Sequence, residues 1–417
     1  MEPSSRDIRQ QLCVNNWLKH RGVGSIIQPT GCGKTTTALK CIQKVISLYP
    51  NFTILIIVPT TNLKEQWEEK LTAWKLDNNA IVMVVNSAIT KQLSYDMLVI
   101  DEIHCMASTQ FSKIFNCVKY KLILGLTATF ERLDGRHALL EKYAPVVDEI
   151  TLIEAMSNNW LSDYTEYQVL IDVDNIDEYK KINKEFVRYF EFFGFDFKLV
   201  QKLCGKNGFE EKKRYTNEMC KDKTRWNEYF KAVNYHALGC MTTMTAKKNF
   251  INNHPKKLEI AKLIIENRPL SKIITFSNSV KMARAIGGPV YSSNDSKNKS
   301  KQILQDFIDA PNGVINSSKK LIAGADIKGV NCEIILGHNS SSTRAIQTRG
   351  RAIRKEGSKH SEIFNIVINQ TQDCKWFSDS HKNSPYITID VDNLIKVLHN
   401  EPFEVYRKPV SQFNYRF

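Results

Sequence analysis

Two short stretches carry residue types that could handle a phosphate. Gln28-Pro-Thr-Gly-Cys-Gly-Lys-Thr35 joins the apolar run SII to a helix-forming run, TTTALKCIQKVISLY. Glycines at 31 and 33 let backbone N–H groups turn towards phosphate oxygens, the following helix presents its positive end, and Lys34 neutralises the β- and γ-phosphates. The Thr35 hydroxyl suits Mg²⁺, and Thr30, Cys32 and Thr36 complete the expected nucleotide contacts. The strict pattern has glycine at position 28, where this chain has Gln28. Taken alone, such a loop also reads as an ordinary flexible turn. The second stretch is MLVI running into Asp101-Glu102-Ile103-His104, which sets two adjacent carboxylates at the end of a buried strand. There Asp101 would reach Mg²⁺ and Glu102 would polarise an attacking water, the positioning and charge stabilisation that phosphoryl transfer needs.

The elements that must hold these residues follow from the hydrophobic pattern. From Ser25 to Glu149, apolar runs such as TILIIVP, IVMVV and KLILGLTAT alternate with helix-like segments, which predicts a parallel α/β sheet. The same grammar returns after residue 270 in KIITFS, GVINSS, EIILGH and EIFNIVI. The fold class expected is therefore α/β, with two parallel-sheet domains in tandem. Residues 176–250 between them are rich in Lys, Phe, Tyr and Asn with helical spacing. The expected division is 1–155, then 156–260 as linker and helical basic insertion, then 261–417.

Charge points to the partner class. The 417 residues carry a formal net charge of +14, which favours polyanions such as nucleic acid. From Lys198 to Lys257 fourteen basic residues stand against five acidic ones, so most of the excess lies in the insertion. Ten cysteines without a C-x-x-C pair argue against a zinc site or a secreted disulfide framework, and fit a reducing cytoplasm. No run approaches the roughly 18 apolar residues of a membrane span, so no membrane partner is expected.

With these motifs in view, the chain resembles a superfamily 2 helicase of the DExH type. Gln28–Thr35 looks like motif I, Val58-Pro-Thr-Thr-Asn-Leu-Lys-Glu-Gln-Trp67 like motif Ia, Asp101–His104 like motif II and Thr127-Ala-Thr129 like motif III. Phe276 stands where motif IV would be, Ser318 to Asp326 resembles motif V, and Gln347-Thr-Arg-Gly-Arg-Ala-Ile-Arg354 matches the Q-x-x-G-R-x-x-R of motif VI. Motif Ia in the form V-P-T-x-x-L-x-x-Q-W is similar to the DNA-directed branch, including XPB-like translocases and the branch-migration helicases of tailed phages.

The resemblance implies that both domains are RecA-like, and it implies roles residue by residue. Gln10, seven residues before Trp17, would read adenine, and Asp326 would join the nucleotide contacts. Gln347, Arg351 and Arg354 would act from the second α/β unit across a cleft, with an arginine stabilising charge on the transferring phosphoryl group. Thr60, Ser87 and Ser318 would meet the phosphates of one strand, although serines and threonines in loops are more often caps and turns. Lys212, Lys213 and Arg214 would add grip from the insertion. Its aromatics, Phe192, Phe193, Phe195, Phe197, Tyr215, Trp226, Tyr229 and Phe230, could stack on bases but more often build a small core.

The expected activity is an ATP-dependent, Mg²⁺-requiring DNA helicase or translocase acting as a monomer on single-stranded, forked or branched DNA in the cytoplasm of a bacterium or phage-infected host. The alternatives are an RNA helicase, or an ATP-switched nucleic-acid-binding motor subunit that does not unwind.

Overall fold

A computed structural model describes residues 3–130, 135–292, 295–318, 327–339, 360–381 and 385–405. Five-residue apolar strands align into a parallel sheet, buried throughout at Ile54–Val58 and Met97–Asp101 but with Ile81 exposed on the edge strand. They are β1 (Val23–Ile27), β2 (Ile54–Val58), β3 (Ala80–Val84) and β5 (Met97–Asp101), with β7 (Leu122–Thr127) and β8 (Val146–Glu149) beside them. The order is β3-β2-β5-β7-β1-β8, and a small two-stranded sheet joins β4 (Leu93–Ser94) to β6 (Val118–Lys119). Every pairing in this sheet is parallel, so the strands' carboxyl ends share one edge.

Helix α1 (Ser5–Lys19) precedes β1, and α2 (Lys34–Leu48), α3 (Thr61–Ala73) and α4 (Val85–Ala88) start at that edge after β1, β2 and β3. Helix α1 is fixed across β8 by Arg9, whose guanidinium grips Asp148 at 2.8 Å and Glu154 at 2.6 Å. Trp17 anchors the same helix in the core, its indole N–H donating to the Ile123 carbonyl at 3.0 Å.

The second sheet has the order β11-β12-β10-β13-β14-β9-β15. Its members are β9 (Tyr164–Ile171), β10 (Lys272–Ser277), β11 (Val290–Tyr291), β12 (Gly313–Ser318), β13 (Cys332–Ile335), β14 (Ser361–Ile368) and β15 (Ile387–Ile389). Here the structure departs from the expected division. β9 lies inside the span 156–260, yet it pairs along its full length with β14, Tyr164 opposite Ser361 and Ile171 opposite Ile368. The helical segment is therefore inserted within the second α/β unit, between β9 and β10. The physical reason is that β9 carries Glu166 and Gln168 in its interior, which breaks the apolar run that would announce a strand. Both are buried and satisfied by distant groups: Glu166 by His381 at 2.9 Å and by Asn365, Gln168 by Thr388 at 2.9 Å.

The insertion comprises helices Ile176–Glu191, Phe197–Leu203, Gly208–Met219 and the long Trp226–Asn253. Phe186, Phe190, Phe193, Val200, Leu203, Val233, Ala237 and Cys240 close a core of their own, with Phe192, Phe195 and Tyr215 packed against it. No helix among the described residues is long and apolar enough to cross a membrane.

Candidate nucleotide and nucleic-acid sites

The phosphate loop leaves β1 at its carboxyl end. Gly31 (φ 94°) and Gly33 (φ 88°) occupy the left-handed region that side chains disfavour, and Gly33 has a second constraint. A Cβ there would sit 2.6 Å from Gln10 Nε2. Gly33 is also the N-cap of α2 and offers no side-chain cap, and no acidic residue stands in the first turn. The helix's first amides and its positive end thus face outward with Lys34 beside them, Lys34 Nζ donating to the Gln28 carbonyl at 3.4 Å.

The unexpected Gln28 is accommodated by turning its side chain away from the loop. It is fully buried, its amide donates to Thr37 Oγ1 at 3.0 Å and accepts from the same hydroxyl at 3.2 Å, and its backbone N–H reaches Thr127. Gln10 is brought to the loop as well. Its Nε2 donates to the Cys32 carbonyl at 3.2 Å, and its Oε1 accepts from Lys40 at 2.9 Å. Arg6, one helical turn before Gln10, has no counterpart among the expected site residues. Its guanidinium donates to the carbonyls of both Gly31 and Cys32, so α1 grips the loop from behind. The i, i+4 spacing sets Arg6 and Gln10 on one face of α1, but only the packing of that helix brings the face to the loop.

Asp101 ends β5 and Glu102 begins the turn beyond it. Glu102 is a non-glycine residue in the left-handed region, φ 51° and ψ 51°, a conformation that costs roughly 1–2 kcal/mol. Its N–H donates to Asp101 Oδ1 at 3.0 Å, and its carbonyl accepts from Cys105 N at 2.9 Å. The turn aims the two neighbouring carboxylates differently. Burial, then the charge on Glu102, push the Asp101 pKa up to about 6, opposed by the Trp67 indole and by Lys34. The indole N–H donates to Asp101 Oδ2 at 2.9 Å. Behind the pair, His104 Nδ1 meets Thr127 Oγ1 at 2.9 Å and lies 3.3 Å from Glu102 Oε2.

The donor set suits a magnesium-bound nucleoside triphosphate. Thr35 and Asp101 are hard oxygen donors, and uncapped amides with a lysine await an oligophosphate. Thr30 and Thr36 are half-buried on the same loop and helix, whereas Cys32 is buried and burial raises its thiol pKa to about 11.

Farther along the same sheet edge, Thr60 caps α3, its Oγ1 accepting from Leu63 N at 3.4 Å, and exposed Ser87 lies in α4 directly after β3. Ser318 ends β12 in the second sheet, in register with Ser277 of β10. In the insertion, Lys212 donates to Asn234, Lys213 pairs with Glu210 at 3.2 Å, and Arg214 pairs with Glu218 at 3.1 Å. Of the insertion's eight aromatics named above, Phe192, Phe193, Phe195 and Tyr215 go to its core, and Trp226 stacks on Phe230 at 5.0 Å between ring centroids. Asp326, Gln347, Arg351 and Arg354 lie outside the described residues. Lys257 and Asp373, both fully buried, pair at 2.6 Å, and the other Asp373 oxygen meets His338 at 3.1 Å, just beyond β13.

A glycine-rich loop on the positive end of a helix, with adjoining carboxylates at the same edge on β5, separated from β1 by β7, defines a P-loop nucleotide hydrolase core. Residues 6–93 and 86–132 match the family described as "Type III restriction enzyme, res subunit", and residues 256–356 match "Helicase conserved C-terminal domain". The chain is 26% identical over 396 residues to "DNA 3'-5' translocase XPB2" of Sulfurisphaera tokodaii, covering 88% of this chain and 82% of that protein. It is 33% identical over 136 residues to "Putative ATP-dependent RNA helicase QP509L" of African swine fever virus, covering 27% of this chain and 26% of that one.

Two solved structures share the fold. The Pyrococcus furiosus Hef helicase domain aligns at TM-score 0.53 and 16% identity over 91% of this chain and 98% of its own. S. cerevisiae Dbp5 bound to RNA and ADP BeF3 aligns at 0.60 and 11% over 96% and 93%. The two domain matches, with the relative aligned over most of both chains, mark the chain as a superfamily 2 helicase resembling XPB.

Proposed function

We propose that this protein hydrolyses ATP and couples the hydrolysis to movement along DNA, unwinding or branch-migrating it as a monomer. The observation that carries the reading is the shared carboxyl edge of the first sheet. The nucleotide-facing groups sit after β1 and β5, and the strand-facing Thr60 and Ser87 sit after β2 and β3.

In this reading the open amides of α2 and Lys34 bind the β- and γ-phosphates, while Arg6 and Gln10 hold the loop's curvature from behind. Thr35 and Asp101 hold Mg²⁺, which when bound neutralises charge on the phosphates. Glu102, turned out by its left-handed backbone, accepts a proton from the attacking water. Arg351 or Arg354 stabilises the charge that develops on the transferring group, with Gln347 beside them, so hydrolysis requires approach of the second α/β unit. Gln10 and Asp326 complete the nucleotide contacts. Thr60, whose hydroxyl oxygen already accepts the Leu63 N–H, uses its O–H to donate to a strand phosphate, and Ser87 and Ser318 extend that track. Lys212 exchanges Asn234, and Lys213 and Arg214 exchange Glu210 and Glu218, for DNA phosphates.

DNA is preferred because the relative aligned over most of both chains is a DNA translocase by name. A second reading, action on RNA, is favoured by the viral relatives named as putative RNA helicases. ATPase rates measured side by side with single-stranded, duplex, forked and four-way DNA and with RNA separate the two. Greater stimulation by DNA supports the first, and stimulation by RNA alone overturns it.

A further inference from the structure

We infer that Trp67 is a positioning residue for Asp101, linking the strand-facing start of α3 to the carboxylate that holds the metal; the inference rests on the reading of Asp101 given above. Motif Ia places Trp67 next to the strand contacts in sequence, yet the side chain does not face outward. It is 1% exposed, and its Nε1–H donates to Asp101 Oδ2 at 2.9 Å. The other Asp101 oxygen accepts the Glu102 N–H at 3.0 Å. Each carboxylate oxygen is thereby given one donor, and the plane of the group is set by α3 on one side and by its own successor on the other.

An indole is a chemically apt choice. It donates one hydrogen bond and carries no charge, so it orients the carboxylate and leaves its negative charge for a cation, where a lysine or arginine would compete for it. Other tryptophans show that the core does not require this arrangement. Trp17 donates to the Ile123 carbonyl and Trp160 to Ser5 Oγ, both neutral acceptors and both at 3.0 Å.

The same helix makes the link. Thr60, the cap of α3, and Trp67 are seven residues apart, about 10 Å along one rigid helix at 1.5 Å per residue. A strand phosphate that pulls on Thr60 therefore moves the donor on Asp101 without an intervening flexible element.

The test uses the full chain and a fluorescent, non-hydrolysable ATP analogue, and reads the Mg²⁺ concentration at half-maximal analogue binding, with and without a single-stranded DNA oligonucleotide. In the wild type the midpoint is expected to shift when DNA is added. Trp67→Phe is expected to raise the midpoint by about tenfold or more, the usual worth of a hydrogen bond to a charged group, and to abolish its response to DNA. Trp17→Phe, which removes a buried indole from the same domain, keeps both. A Trp67→Phe midpoint and DNA response equal to wild type overturn the inference, and a wild-type midpoint that ignores DNA overturns the link through α3. An Asp101→Asn midpoint equal to wild type would contradict the assignment of Asp101 itself, which is a different failure. Should Trp67→Phe not fold, the indole N–H resonances of wild type and Asp101→Asn decide. One resonance displaced by Asp101→Asn and moved by Mg²⁺ with the analogue in wild type supports the link, and none so affected refutes it.

Discussion

His104 Nδ1 and Thr127 Oγ1 stand 2.9 Å apart and tie the end of β5 to the end of β7. The threonine hydroxyl donates to the Thr129 carbonyl at 2.7 Å and accepts the Thr129 N–H at 3.1 Å. With its own proton committed, Oγ1 accepts from His104, which assigns the Nδ1 proton and turns it towards Glu102 Oε2 as well. The residue proposed to polarise water is thus connected to the segment after β7 through one imidazole.

Thr127→Val keeps the volume and deletes that acceptor. The buried imidazole N–H loses a partner, which is expected to lower stability by about 1–3 kcal/mol. Turnover should fall while affinity for the ATP analogue holds, because no phosphate contact is removed. Thermal unfolding and steady-state ATPase assays check both; a variant equal to wild type in both would show that the tie is idle.

Arg351→Ala and Arg354→Ala probe the far wall of the proposed cleft. At least one is expected to lower kcat by about a thousandfold with ATP binding retained, as expected of an arginine that stabilises only the developing charge. Strong loss of binding with kcat spared would make the arginine a ground-state clamp.

Lys247 yields a pH prediction inside the insertion. It is buried on the helix Trp226–Asn253 with its ammonium 4.4 Å from the Phe186 ring centroid, and burial lowers its pKa from 10.5 to about 8. Below pH 8 folded and unfolded chains both hold the proton, and the folded one bears the full penalty. Between about 8 and 10.5 the unfolded chain binds more protons, so stability rises with pH across that window. Lys247→Met is therefore expected to be more stable at pH 7 by on the order of 1–3 kcal/mol, with the gap closing towards pH 10. Melting curves across that range check it, and a gap that does not change with pH contradicts it.

Reversal of Lys212, Lys213 and Arg214 to glutamate tests the grip. Each phosphate contact contributes about 0.7 to 0.9 to the slope of log affinity against log salt. The triple variant should bind DNA more weakly with a flatter slope, while ATPase without nucleic acid stays at the wild-type level. An unchanged slope and undiminished unwinding would leave these residues as partners of Glu210, Glu218 and Asn234 only.

The parts legible in the sequence are those whose chemistry is local. Gly31, Gly33 and Lys34 must lie together to cradle a phosphate, and Asp101 and Glu102 adjoin on a strand end, so spacing alone exposes them. Contacts between distant segments are different. That Arg6 bonds the loop carbonyls, and that Trp67 turns inward to Asp101, depends on how α1 and α3 pack, which no local pattern encodes. β9 was hidden for a related reason, since Glu166 is tolerated in its interior only because His381 and Asn365 arrive from the far end of the chain. Gln28 shows the converse. A departure from the expected glycine casts doubt on the motif until Thr37 is seen to take up the amide.

The most direct measurement of the central claim is ATP-driven displacement of streptavidin from biotin at either end of a single DNA strand, run beside Lys34→Ala and Glu102→Gln. The account predicts displacement from one end only, dependent on ATP and Mg²⁺, absent in both variants, with Glu102→Gln still binding the nucleotide. Wild-type hydrolysis in the presence of DNA without displacement, displacement on RNA but not DNA, or full turnover by Glu102→Gln would contradict it.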